Sequence, residues 1–326
     1  MSEPSIIVFD RAVVRRHRER AAEDFSGYDF LVREVAERLA DRLEDVTRSF
    51  PLALDLGCHD GTLASLIGER GGIETLVQSD LSFAMARKAH EAAAERTGSP
   101  ERCPALVADE EMQPFAEGCF DLVISSMGLH WVNDLPGALL QANLALKPDG
   151  LFLGAILGGD TLHELRQSLL MAESELEGGA GPRVSPFAQL QDAAGLLQRA
   201  GFALPVADVD SITVNYANPL KLMDDLRGMG QSNAVIGRRN TLSRRETLMH
   251  AAQIYEEEFG DETGTVPATF QVIFLTGWRP AANQQQPLRP GAARHSLAEA
   301  LGTQEVKTGV KTGPQVKTGP KPNGQA

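Results

Sequence analysis

Three acidic positions and a pair of glycines stand where a nucleoside could be gripped. The run Asp55-Leu56-Gly57-Cys58-His59-Asp60-Gly61 puts an acid near the end of an apolar, β-biased stretch and two glycines in the turn after it. Lacking a Cβ, a glycine lets backbone N–H groups approach a polar ligand closely. That spacing alone is a weak signal, because glycines also make ordinary strand-to-helix turns. Asp80 follows the next apolar run, Leu76-Val77-Gln78-Ser79, where a carboxylate can accept hydrogen bonds from ribose hydroxyls. Asp109-Glu110 closes a third run, Ala105-Leu106-Val107-Ala108, at a place that can reach an adenine edge. One acid after each of three successive strands defines a nucleoside-cofactor pocket far better than the glycines do.

The elements that must hold these residues alternate. Leu31, Val35, Leu39 and Leu43 share one helix face ahead of Pro51. Strands are expected near 52–56, 74–79, 104–108, 119–126 and 150–157, and helices near 61–69, 82–96 and 135–146. Such βαβ alternation predicts a doubly wound, mostly parallel α/β sheet. Phe120 to Ser126 is nearly all apolar at its centre, as a strand covered on both faces should be. Lys147-Pro148-Asp149-Gly150 reads as a turn in which Gly150 takes the positive φ. From Gly158 to Gly230 the periodicity is mainly helical, a candidate cap over the pocket, and Phe270 to Trp278 reads as a late strand returning to the sheet. The expected division is an N-terminal helical segment over 1–50, a cofactor-binding α/β domain over 51–157, a helical cap with the returning strand over 158–279, and a disordered tail over 280–326. Three Val-Lys-Thr-Gly copies, beginning at Val306, Val310 and Val316, mark that tail as too polar to pack.

Composition narrows the partners. With 31 basic and 44 acidic residues the net charge is −13, which disfavours a general nucleic-acid surface. No apolar run approaches the roughly 20 residues of a membrane span. Cys58, Cys103 and Cys119 have neither metal-ligand spacing nor an even count, so a reducing compartment, read as the cytoplasm, is expected. Five arginines between Arg11 and Arg20 are interrupted by acids, unlike a transit peptide, and read as one solvated helix face.

Taken as a set, the acidic glycine turn from Asp55 to Gly61, Asp80 and Asp109 resemble the class I S-adenosylmethionine-dependent methyltransferases. The resemblance implies that Asp55, Gly57 and Gly61 belong to the turn around the cofactor's amino-acid and ribose portion, that Asp80 holds the ribose hydroxyls, and that Asp109 and Glu110 border adenine. His59 departs from the pattern, because the family carries a third glycine there; its side chain is expected to turn outward. Further segments narrow the likeness: Ala108-Asp109-Glu110-Glu111, Leu129-His130-Trp131-Val132-Asn133-Asp134-Leu135-Pro136, Gly158-Gly159-Asp160-Thr161-Leu162, Ser185-Pro186-Phe187 and Val266-Pro267-Ala268-Thr269. Together they are similar to the mitochondrial complex I assembly factors described as arginine hydroxylases, from about Phe9 to Trp278. That likeness implies a protein substrate, the iron–sulfur subunit of complex I.

The reacting groups are less legible than the cofactor's. His130 and Trp131 follow the fourth strand, on the side where the transferable group should lie, and Asp160 is a weaker candidate in the same cleft. Methyl transfer needs little acid–base help, since alignment supplies much of the rate. Hydroxylation needs activated oxygen, normally from a metal or organic cofactor, and no metal ligand is assigned. Two other readings share the pocket: an O-methyltransferase of the biotin-synthesis type, and a non-catalytic chaperone that binds S-adenosylmethionine.

Overall fold

A computed structural model describes residues 7–68, 70–282 and 284; the tail expected over 280–326 falls almost wholly outside them. Helix α1 (Arg11–Ala21) starts where Asp10 caps the Val13 N–H, and α2 (Phe30–Glu44) buries Leu31, Val35, Leu39 and Leu43 along one face. Alternation follows through β1 (Leu52–Leu56), α3 (Thr62–Ile67), β2 (Thr75–Asp80), α4 (Phe83–Thr97), β3 (Ala105–Val107), β4 (Phe120–Ser126), α5 (Leu135–Ala145) and β5 (Leu146–Leu157). The remaining elements are α6 (His163–Glu177), α7 (Leu190–Arg199), β6 (Ala203–Tyr216), α8 (Pro219–Gly228), α9 (Arg245–Phe259) and β7 (Val266–Trp278).

The strands lie in the order β3-β2-β1-β4-β5-β7-β6. β1 to β5 run parallel, and β7 runs antiparallel to both β5 and β6. β4 is the middle strand, as its apolar centre predicts. The chain reverses its direction of growth between β1 and β4, which opens a crevice at their carboxyl ends. The turn after β1 therefore falls at the ligand-binding edge.

Period-two alternation splits each inner strand between two cores. Leu151, Leu153 and Ala155 of β5 and Phe270, Val272 and Phe274 of β7 pack with α2 and α6, while Phe152, Ile156, Ile273 and Leu275 pack on the other face with α5 and α7.

Two local readings are corrected. The 158–230 region is helical in α6, α7 and α8 but also carries β6, a fourteen-residue strand that the helical reading did not include. Asp208 and Asp210 on the half-covered face of that edge strand break the apolar alternation and pair with Arg42 and Arg38 of α2 at 2.5 and 3.0 Å. Residues 147–150 fall within β5 and not in a separate turn, and the positive φ there, +66°, belongs to Asp149 and not to Gly150. Gly150 is needed for space instead, since a Cβ there would lie 2.8 Å from the Lys147 carbonyl oxygen.

Phe274 is 1% exposed and its ring carries the Arg42 guanidinium at 3.6 Å. Phe274→Ala removes this packing and the support beneath the Arg42–Asp208 pair. It is expected to cost about 3–5 kcal/mol, read as a lowered urea midpoint; a loss below about 1 kcal/mol would show that this face of the sheet repacks freely.

Candidate functional site

Five of the six cofactor candidates, Asp55, Gly57, Gly61, Asp80 and Glu110, converge at the carboxyl ends of β1, β2 and β3, with Asp109 at the rim. Gly57 and Gly61 have φ of +82° and +87°, a region that favours glycine. A Cβ on Gly57 would stand 3.0 Å from the Cα of Gly128, and one on Gly61 3.1 Å from the Cα of Ala89. The glycines thus seat the turn against the loop after β4 and against α4. Gly57 N–H and Cys58 N–H both donate to the Ser79 carbonyl, at 2.8 and 2.9 Å, so these amides brace β2.

Electrostatics dominate the crevice. Asp55 is fully buried and neither carboxylate oxygen has a hydrogen-bond partner. Burial, reinforced by the neighbouring Asp80 charge, pushes its pKa well above the usual carboxylate range. Asp80, equally buried, accepts from Ser82 N–H at 2.8 Å on one oxygen and from His59 N–H and Arg18 Nη1 on the other, each at 3.2 Å. Glu110 accepts from Arg18 Nη1 at 2.6 Å and also pairs with Arg11. Burial alone would raise Glu110, but Arg18 and then Arg11 override it and hold the carboxyl down at about 2. Asp109 accepts from Arg11 Nη2 at 2.6 Å.

The cations in this network come from α1. Arg18 is 2% exposed, its charge held by Asp80 and Glu110 against the cost of burial, and it also donates to the Gly128 carbonyl. The α1 arginines are therefore not one solvated face; two of them point into the sheet edge. Three strand-end acids with no nearby cation in the sequence were the available signal for them, and helical spacing alone could not say which arginines turn inward.

His59 also departs from expectation. Its side chain turns inward, stacked on Phe25 with ring centroids 5.7 Å apart, with Nε2 at 3.2 Å from the Ser126 carbonyl. The polar contacts of both its backbone and its ring are what fix it there. Burial and then Arg18 lower its pKa, favouring the neutral ring.

After β4, His130 and Trp131 sit in a short turn tied by one side chain: Gln231 Oε1 accepts from Trp131 Nε1–H at 2.8 Å and lies 3.0 Å from His130 Nε2. With an oxygen there, Nε2 must carry the proton. Burial pushes the His130 pKa down to about 3, so the ring is a poor proton acceptor at neutral pH. Asp160 is exposed and its carboxylate accepts from Gln271 of β7 at 2.8 Å, apart from the His130 group.

Residues 54–154 match the family model for a methyltransferase domain. The fold alone is shared with the YcgJ protein of Bacillus subtilis, with a TM-score of 0.53 and 14% identity over 75% of this chain and 98% of that one. Fold, domain and relatives define a class I S-adenosylmethionine-dependent methyltransferase-fold protein, a superfamily whose cofactor is S-adenosylmethionine. The chain is 45% identical over 300 residues, 91% of each chain, to the mitochondrial arginine-hydroxylase NDUFAF5 of Danio rerio, and it belongs to that family. It is also 34% identical to a malonyl-[acyl-carrier protein] O-methyltransferase of Methylovorus, over 86% of this chain and 93% of that one.

The cytoplasmic placement is corrected by these comparisons, because five arginine-hydroxylase relatives are named as mitochondrial. Cys58, Cys103 and Cys119 are free, which chooses no compartment. The N-terminal arginines serve the folded site, so their pattern is no test of an address. Among the described residues no helix is long and apolar enough to cross a membrane.

Arg18→Ala takes from buried Asp80 the cation it pairs with and from buried Glu110 one of its two. It is expected to cost about 3–5 kcal/mol at neutral pH, measured by urea unfolding. Because the folded Glu110 value lies below its unfolded one, the stability it contributes is present above about 4.5 and lost as pH falls toward 2. The gap between parent and variant should therefore close on acidification; a gap independent of pH would contradict the pairing.

Proposed function

We propose that the chain binds S-adenosylmethionine at the carboxyl ends of β1 to β3 and modifies an arginine of a protein, the iron–sulfur subunit of respiratory complex I, during its assembly. One observation carries this reading: 45% identity to an arginine hydroxylase along 91% of both chains. The crevice suits the cofactor. Asp55 is a buried carboxylate with no partner, and S-adenosylmethionine brings an ammonium and a sulfonium. When bound, that cofactor supplies a methyl group on a cationic sulfur.

In this reading Gly57 and Gly61 shape the floor, Asp80 holds the ribose hydroxyls, and Asp109 with Glu110 borders the adenine. Arg18 competes for Asp80 and Glu110, so cofactor binding loosens α1 from the sheet edge. Residues 51–157 form the cofactor domain, and 158–279 form the cap on the substrate side, with β6 and β7 as its strands. His130 and Trp131 wall the transfer side, with His130 neutral and orienting, not accepting a proton. Asp160 is too far committed to β7 to share that role.

The likeness to the O-methyltransferase favours a second reading, modification of a carrier-bound carboxylate, and the two separate chemically. Peptides of the complex I iron–sulfur subunit from cells lacking the gene should lose an oxygen-sized mass increment on one arginine. Loss of a methyl-sized increment instead would replace hydroxylation by methylation, and no change at any arginine would overturn the reading.

Asp55→Asn tests the cofactor's countercharge. Losing a hydrogen bond to a charged group, about 1.5–3 kcal/mol, should weaken S-adenosylmethionine binding by roughly 10- to 150-fold in calorimetry. A raised folded pKa means that the parent's stability is full below about 3.8 and lost as pH rises. Ligand-free Asp55→Asn should thus melt above the parent at pH ~8 and level with it in acid; unchanged affinity and melting would place the cofactor elsewhere.

A further inference from the structure

Beneath the cap lies a cavity of about 360 Å³, a volume within the range that takes small molecules. Its walls come from the end of β5, from α6, α8, α9 and β7, and from the loops at 183–187 and 231–233, and they are dominated by side chains such as Leu157, Leu165, Leu169, Phe187, Met223 and Phe270. Among the described residues no aspartate or glutamate lines it. A guanidinium placed there would be desolvated without a countercharge, which a protein interior penalises heavily.

The one cation in the wall does not call for an anion either. Arg183 is neutralised by Glu173, with Nε at 2.6 Å and Nη2 at 2.5 Å from the same carboxylate oxygen, and its Nη1 donates to the Ser243 hydroxyl at 2.7 Å. Glu173 itself is 3% exposed, so the charge is answered within the wall, while Arg183 Nη2 lies beside that oxygen without making a hydrogen bond and is left as a further donor. A neutral occupant is what the charges permit.

The polar end is donor-rich. Gln231 has its Oε1 committed to Trp131 and faces His130, so the carboxamide is oriented with its NH₂ left to donate, and no hydrogen bond from that nitrogen is made among the described residues. The buried Ser185 hydroxyl lines the same cavity. Either group can donate to an acceptor such as a carbonyl oxygen.

We infer that this cavity is a binding site for a neutral, mainly apolar small molecule whose head is a hydrogen-bond-accepting carbonyl, a ligand distinct from the arginine-bearing protein. Its chemistry rests on the lining alone; that it lies next to the transfer side, through Gln231 and the His130–Trp131 turn, rests on the function proposed above. Occupancy joins α6, α8 and α9 to β7 across one apolar filling.

Trp131 lines the cavity and is one of only two tryptophans, so it reports directly. In the full-length chain carrying Trp278→Phe, a terminally brominated medium-chain methyl ketone should quench Trp131 saturably. The brominated carboxylate of equal length should bind at least about tenfold more weakly, the cost of an unpaired charge, and agmatine should neither quench nor compete. Met223→Phe, which fills the cavity, should weaken the ketone by a similar factor while the calorimetric S-adenosylmethionine isotherm stays that of the parent. Absent quenching in protein that still binds S-adenosylmethionine, preference for the carboxylate, or competition by agmatine would each overturn the inference. Saturable ketone binding in protein that fails to bind S-adenosylmethionine would support the cavity and overturn the cofactor reading instead.

Discussion

Buried negative charge at the carboxyl ends of three neighbouring strands must be compensated, and much of the molecule is arranged to do so. Asp55, Asp80 and Glu110 are all removed from water at one sheet edge. An isolated buried carboxylate either finds a cation or takes up a proton. Two different solutions stand side by side here. Arg18 and Arg11 reach from α1 to Glu110, and Arg18 also meets Asp80, whereas Asp55 is left without any partner and its ionisation is suppressed.

That division explains why α1 lies where it does. Its arginines close the edge that β1, β2 and β3 leave open, and Glu19 on the same helix accepts from the Phe83 and Ala84 N–H groups at the start of α4. Phe25, just beyond α1, covers His59 in the glycine turn. The N-terminal segment is therefore a wall of the acidic crevice, and in the proposed reading a cationic cofactor entering that cluster relieves a charge imbalance that the protein alone only partly resolves.

Much of this was legible in the residues. Short β-biased runs marked β1, β2 and β4, and the strand-end acids marked the crevice, because both signals are local. What stayed hidden depends on neighbours distant in sequence. β6 was concealed because Asp208 and Asp210, which look like solvent-facing acids, are answered by arginines of α2. Arg18 looked solvated because its partners lie more than 60 residues away. His59 was expected outside because only the fold brings Phe25 and the Ser126 carbonyl to its ring. His130 and Trp131 stood out in the sequence, but Gln231, which binds both, sits in a loop with no motif of its own.

The central claim is that the acidic strand ends, and not the apolar cap cavity, receive S-adenosylmethionine. Hydrogen exchange followed by mass spectrometry on the full-length chain, with and without S-adenosylmethionine, tests it most directly. Slowed exchange is expected over residues 55–61, 80–86 and 108–113, with faster exchange in α1 as Arg18 yields its carboxylates. Slowed exchange confined to α6, α8 and α9, or no change at the glycine turn at saturating cofactor, would contradict it.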